Sequence, residues 1–253
     1  MLGPGLNGWT HTVSILCGAT AYVRAPTVAP TANALPAPER RRVGMDVKLA
    51  LALGFEACAH ADLNPGTLPT VFTSSGSDGQ NCHELCQTLA SADRQVSPTR
   101  FHNSVHNAAA GYWSIAAGAM TAATALCAYD ASFSAGLIET GTQLAVGHAA
   151  VMLVAFDTGY PEPLHSKRPL ADIFGVALVL ARTPSERSIV KLNLDLCVGS
   201  AEPMHDSLLE ALRAGVPAAR SLPLLHLLAA RKAGVVHLDY LDGTVVRTEV
   251  MPC

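Results

Sequence analysis

Ser97-Pro98-Thr99-Arg100-Phe101-His102-Asn103-Ser104-Val105-His106-Asn107-Ala108-Ala109-Ala110-Gly111-Tyr112-Trp113-Ser114-Ile115, followed by Thr124-Ala125-Leu126-Cys127-Ala128-Tyr129-Asp130-Ala131-Ser132-Phe133, decides how this chain reads. The Ala-rich run from Asn103 to about Ala117 predicts a helix, and Thr124 to Ala128 predicts a buried strand. The step from that strand into a helical pattern over Ala131 to Val146 predicts a sharp strand-to-helix bend. In many enzymes such a bend carries a nucleophile, because the N–H groups of the incoming helix favour an anion and hold an oxyanion. At this bend stands Asp130, with Cys127 earlier, inside the strand.

Outward from the bend, strands alternate with helices. Thr12 to Thr20 reads as a first strand, with Val13, Ile15 and Cys17 alternating before Gly18. Arg24 to Pro38 is a Pro-rich loop, a surface excursion rather than a boundary. Gly44 to Asp62 is a helix with a broad apolar face, and Pro69 to Ser75 a short buried strand. Ser74-Ser75-Gly76-Ser77-Asp78-Gly79 turns into a helix from about Gln80 to Ala92. Beyond the bend, Ala149 to Asp157 is a continuous apolar run, the mark of a strand buried on both faces. Asp172 to Arg182 and Ser188 to Leu196 read as strands, Met204 to Ala214 and the Leu-rich Arg220 to Ala233 as helices. Val235 to Tyr240 and Thr244 to Val250, joined by Leu241-Asp242-Gly243, form a hairpin. The alternation means βαβ units and a mostly parallel sheet.

Composition narrows the function. Of 253 residues, 49% are hydrophobic and 15% charged, so a full core is available and the surface is plain. A net charge of −3 and the short Arg40-Arg41-Arg42 cluster exclude a nucleic-acid-binding face. The N-terminus has no positive region and much Gly, unlike a signal peptide. The charge-free stretch Ala108 to Tyr129 is long enough to span a membrane but poor in Leu, Ile and Val, so a buried helix followed by a strand fits it better. The seven cysteines are scattered in apolar segments, as in reduced cytosolic proteins. A cytoplasmic protein is expected.

The order of motifs carries a resemblance. Ser97-Pro98, then Asn107-x-x-Ala110-Gly111-x-x-Ser114-Ile115-x-x-Gly118, then the strand-bend-helix at Thr124 to Leu137, then Gly147 ahead of the strand ending at Asp157, resembles the first half of β-ketoacyl-acyl-carrier-protein synthases. Pro36-x-Pro38-Glu39-Arg40-Arg41-Arg42 and Asn103 to Ile115 look like the β-ketoacyl synthase-like N-terminal domains, or chain-length factors, found with aryl-polyene and related pathways. The likeness covers roughly residues 10 to 196. It implies a thiolase-like half-fold: a five-stranded, mostly parallel α/β sheet in the order 3-2-1-4-5, helices on both faces and a short α/β tail. Residues 1–203 would form the synthase-like domain, and residues 204–253 a helical and hairpin tail packing on it.

That family keeps a cysteine nucleophile at the bend and two histidines from the second half. Registering Gly147 and its flanking strands puts Asp130 at the nucleophile position, and a shift of three residues would put Cys127 there; both stay open. His205, His226 and His237 lack the family's His-Gly-Thr surroundings. The resemblance therefore implies a non-catalytic, chain-length-factor-like subunit without cofactor or metal. It would form a heterodimer with an active ketosynthase through the edge strand Thr124 to Ala128, and reach acyl carrier protein through that complex. Tunnel and interface positions are expected at His83, Cys86, Asn107, Gly111, Tyr112, Trp113, Tyr129, Asp130 and Phe133. Tyr112 and Trp113 fit core packing equally well. His102 and His106, Cys82-His83-x-x-Cys86 and the Ser74–Gly79 turn are assigned to capping, packing and turn roles rather than to zinc or phosphate. The alternatives are an enzyme using Cys127, with His102 or His106 as base, and a stand-alone acyl-carrier-binding protein.

Overall fold

The computed structural model describes residues 1–170 and 172–253. In chain order it contains β1 (Leu2–Gly3), β2 (Leu6–Asn7), α1 (Gly8–Leu16), α2 (Ala37–Arg40), α3 (Met45–Ala61), β3 (Thr70–Thr73), α4 (Gly79–Ala90), α5 (Pro98–His102) and α6 (Ala108–Ala117). There follow β4 (Ala123–Leu126), α7 (Ser132–Ala145), β5 (Ala150–Asp157), α8 (Leu164–Lys167), β6 (Phe174–Ala181), β7 (Val190–Val198), α9 (Ser207–Gly215), α10 (Leu222–Ala230), β8 (Gly234–Asp239) and β9 (Thr244–Pro252). Short 3-10 turns occupy Tyr129–Ala131 and Pro217–Ser221.

The central sheet runs β2-β1-β6-β5-β3-β4. β3 pairs in parallel with both β4 and β5, whereas β6 is antiparallel to β5 and β1 antiparallel to β6. The mixed α/β class is the expected one. The sheet has six strands rather than five among the described residues, and the N-terminal strand lies toward one edge rather than in the middle. β4 forms the other edge, with one side of its backbone unpaired. A second sheet, β7-β9-β8, is antiparallel and joins Val190–Val198 to the two tail strands.

β5 shows why the central layer is stable. Its apolar residues alternate between two cores: Val151, Leu153 and Ala155 face the side of α1, α7 and α10, while Met152, Val154 and Phe156 face α3 and α6. Burial on both faces is what the unbroken apolar run predicted. On the α3 side, Trp113 is 1% exposed and stacks near Phe55 and Phe72. Gly54 permits this, since a Cβ there would come within 2.6 Å of the indole. On the other side, Leu222, Leu224, Leu225 and Leu228 of α10 join Phe133 and Leu137 in one buried cluster.

Two expectations are corrected. Thr12 to Thr20 is not a strand: α1 ends at Leu16, and its buried residues are Thr12, Ile15 and Leu16, a helical spacing that the Val13-Ile15-Cys17 alternation concealed. The hydroxyl of Thr12 donates to the Gly8 carbonyl at 2.8 Å, a helical i−4 contact. Nor is Asn103 to Ala117 one helix. Asn103 is buried, donating through Nδ2 to the Arg42 carbonyl at 2.8 Å and accepting from the Tyr112 hydroxyl at 2.9 Å. Ser104 donates to the Phe101 carbonyl. These side-chain bonds compete with helical ones and separate α5 from α6.

Candidate functional site

The site lies where the parallel strands β3, β4 and β5 end, the crevice in which open α/β sheets bind ligands. Its centre is the bend between β4 and α7. Tyr129 takes a left-handed conformation with φ of 53°, a costly one for a residue with a Cβ. Ser132 secures it: its Oγ accepts the Ala128 N–H at 3.1 Å and donates to the Tyr129 carbonyl at 2.7 Å. Tyr129 as a whole is 63% exposed.

Asp130 has both oxygens occupied. Arg168 Nη2 donates to Oδ1 at 2.7 Å, and Arg220 Nη2 to Oδ2 at 2.9 Å. The same Arg168 guanidinium lies 3.5 Å from the centroid of the Tyr129 ring. Arg220 continues to Asp239 at 3.5 Å, Asp239 to Arg213 at 2.8 Å, and Arg213 to Glu210 at 2.7 Å. This chain of ion pairs couples the bend to α9 and β8. The carboxylates of Glu210 and Asp239 hold the Arg213 guanidinium above the usual arginine range, with the hydrogen bond that Arg213 donates to Glu210 the largest influence.

Cys127 is exposed, and its thiol donates to the Ser75 carbonyl at 3.3 Å. That bond uses the proton a nucleophilic sulfur must lose. His106 Nε2 lies 3.1 Å from the neighbouring Ser74 carbonyl, so this nitrogen carries the hydrogen. The two expected helpers, His102 and His106, do not share a helix face, because the chain between α5 and α6 is not helical. His102 stands edge-on to Tyr112.

The turn from β3 into α4 forms the second wall. Ser77 also has φ of 53°, and Asp78 caps α4 by accepting the Asn81 N–H at 2.9 Å. Tyr160 packs on Gly76 and Gly79 so closely that a Cβ at either would clash with the phenol. Beneath the turn is Asp157, at the end of β5, which the sequence reading passed over. Its Oδ1 accepts from the Ser75 N–H at 2.8 Å and the Ser75 hydroxyl at 2.6 Å, and its Oδ2 accepts from the Ala218 N–H at 2.8 Å. Burial pushes this carboxyl up, and the Ser75 and Ala218 bonds oppose it. The available signal was a charged residue closing an otherwise apolar strand.

A further acid, Asp46 at the start of α3, is 2% exposed with Oδ1 unpartnered. Burial and the nearby Asp78 carboxylate push it up to about 6. Gly44 sits between the two acids: a Cβ there would lie 2.3 Å from Asp78 Oδ2 and 2.8 Å from Asp46 Oδ1.

The structure brings Cys127, Tyr129 and Asp130 together at the bend. His83 is half-buried and Cys86 exposed on α4; Asn107 and Gly111 are exposed at and within the α6 start. Tyr112, Trp113 and Phe133 lie inside the packed layers. Just ahead of β4 in the chain, Met120 is 96% exposed, and Phe101, Val105 and Ile115, on and between α5 and α6, are also exposed. Among the described residues no group of three or more His, Cys, Asp or Glu is arranged to hold a metal, and no helix is long and apolar enough to cross a membrane.

Residues 18–239 match the family model of the β-ketoacyl synthase N-terminal domain. No curated protein matches the chain. Among solved structures, the chain is similar to the ketosynthase ApeO in complex with its chain length factor ApeC from Xenorhabdus doucetiae, at 23% identity and a TM-score of 0.74, covering 98% of this chain and 95% of that one. It is also similar to the AntDE:AntF complex of a type II polyketide synthase acyl-carrier protein with its ketosynthase, at 10% identity, a TM-score of 0.69 and coverages of 99% and 96%. The ishigamide ketosynthase/chain length factor follows at 14% identity and 0.64, with coverages of 99% and 96%. At these identities the likeness is one of fold.

Proposed function

The chain belongs to the β-ketoacyl synthase N-terminal-domain family, and on that premise we propose that it is a non-catalytic chain-length-factor subunit. It pairs with an active β-ketoacyl-acyl-carrier-protein synthase in the cytoplasm and shapes the tunnel in which the acyl or polyene chain grows. The observation that carries this reading is the bend: where a condensing enzyme needs a sulfur, a carboxylate is held on both oxygens by arginines. An aspartyl carboxylate is also a poor acyl carrier, since the mixed anhydride it forms hydrolyses readily. The nearest thiol, Cys127, donates to a carbonyl and has no imidazole partner in its hydrogen bonding. Unpaired edge strands beside exposed apolar side chains are the usual setting for strand pairing with another chain. Here β4 is such an edge strand, and the exposed Met120 lies three residues before it.

In this reading β4 pairs across a pseudo-two-fold with the same strand of the partner. His83 and Cys86 on α4, Asn107 and Gly111 at α6, and Tyr129 with Asp130 at the bend face the shared tunnel or interface. Tyr112, Trp113 and Phe133 support that wall from behind. Residues 204–253 act as a tail covering the sheet of residues 1–203. The similar solved structures that are ketosynthase and chain length factor assemblies support the pairing. The test is co-expression with a ketosynthase, followed by size exclusion and product analysis. A stable one-to-one complex that condenses, with neither subunit condensing alone, is the expected result. A chain that stays monomeric beside every ketosynthase offered, or condenses by itself, overturns the reading.

A further inference from the structure

We propose that Asp130 is a positioning residue, which fixes Arg168 across the Tyr129 ring and so presents the phenol as a rigid wall at the bend. The inference rests on the tunnel reading only for what the phenol faces. Three observations carry it. First, Tyr129 is held in the left-handed region, where a side chain is strained and persists only if its surroundings over-determine it. Second, its exposed ring has one face covered by the guanidinium of Arg168, 3.5 Å from the centroid. Third, the Arg168 side chain is only 15% exposed, and its guanidinium is aimed by the 2.7 Å bond to Asp130.

The geometry makes Asp130 the hinge of the arrangement. One oxygen holds Arg168 and the other holds Arg220 of the tail, which is itself tied to Asp239 and through it to Arg213. Arginine suits both tasks, because its planar fork can bond a carboxylate at its edge while stacking its face on an aromatic ring. A lysine point charge cannot do both. The carboxylate at the bend is therefore a strut for a neighbouring side chain rather than a lost nucleophile's empty replacement. The predicted consequence is that Asp130 and Arg168 set how far Tyr129 reaches, and with it the size of apolar chain that fits against the bend.

The experiment compares the full chain with Asp130→Asn, Arg168→Lys and Arg220→Gln. Amide hydrogen exchange is read on a peptide covering residues 126–134, with the chain alone. Loss of the charge-assisted clamp raises exchange there by about tenfold in Asp130→Asn and Arg168→Lys, while Arg220→Gln, which leaves Arg168 on Asp130, raises it much less. Unchanged exchange in the first two variants, or an equal rise in all three, overturns the proposal. The same variants, co-expressed with a ketosynthase, are then read for product length. A broader length distribution in Arg168→Lys, at unchanged complex yield, supports the link to the tunnel. A loosened bend with unaltered products keeps the positioning role and removes the tunnel reading instead.

Discussion

Two strand-to-helix bends face each other across the crevice, and they treat their carboxylates in opposite ways. Both contain a left-handed residue at φ of 53°, Tyr129 in one and Ser77 in the other. At the β4–α7 bend the acid is half-exposed and doubly paired with arginines. Against the β3–α4 turn, Asp46 from the start of α3 is buried, one of its oxygens has no partner, and the charge acting on it is the carboxylate of Asp78. Similar backbone geometry thus lies beside a clamped acid in one place and a buried acid pushed up to about 6 in the other. The difference lies in which distant residues reach the bend. Arg168 and Arg220 arrive at Asp130 from later in the chain, whereas the side-chain donor that reaches Asp46 is the Ser77 hydroxyl, at a long 3.4 Å.

Deleting residues 204–253 breaks the contrast most severely. It removes Arg220 from one bend, the Ala218 donor from the Asp157 beneath the other, and Leu222, Leu224, Leu225 and Leu228 from the core. Each lost buried leucine costs about 2–5 kcal/mol, more in sum than a domain's net stability. The expected result is insoluble protein; a soluble, cooperatively melting truncation would falsify the assignment of these residues to the core.

Asp46→Asn sharpens the comparison through pH. The folded carboxyl titrates near 6 against an unfolded value of 3.8, so the folded state binds the proton more tightly. Its contribution to stability is therefore full below pH 3.8 and lost as pH rises through about 6. The difference is worth about 3 kcal/mol. The neutral variant gains up to that amount over the native chain at pH 8, and the gain vanishes near pH 4. Denaturant midpoints at the two pH values check this, and equal gains at both would refute it.

Asp130→Asn is the complementary change at the paired bend. It leaves Arg168 and Arg220 without their anion and costs about 1–2 kcal/mol, discounted for partial exposure. The melting temperature should fall by about 3–6 °C at pH 7 and low salt, with a smaller fall in high salt. A stabilised variant would show that the two arginines gain nothing from the carboxylate. The smallest expected effect is Cys127→Ala, about 0.5 kcal/mol or less, since only one weak thiol bond is lost. Purified protein given acyl-carrier substrate should show no covalent mass increase with either residue at 127; an increase abolished by the alanine would establish a thiol enzyme.

Much of the fold was legible because local patterns carried it. The apolar run at β5, the helix over Met45–Ala61 and the hairpin closed by Gly243 at φ of 72° all follow from periodicity and turn chemistry. The order of short motifs then gave the family. The failures came where local and tertiary preferences conflict. In α1, β-branched residues alternate over a few positions, yet burial of Thr12, Ile15 and Leu16 makes the segment helical. Between α5 and α6, the buried Asn103 spends its amide on Arg42 and Tyr112 rather than continuing the helix. The candidate site divides the same way. The bend and Asp130 were visible from strand and helix patterns. Arg168 and Arg220 were not, because they lie 38 and 90 positions away and nothing in the intervening sequence marks them as its partners.

The ion-pair relay also orders events in time. A polypeptide leaving the ribosome exposes the β4–α7 bend long before Arg220 or Asp239 has been made. Until those later segments emerge, the acid at 130 has at most one of its two cations, and Asp157 lacks the Ala218 donor. The face proposed to meet a partner is therefore completed only once residues 217–239 have emerged, so a nascent chain stalled before residue 217 should be cut by protease at the bend, whereas the released protein resists.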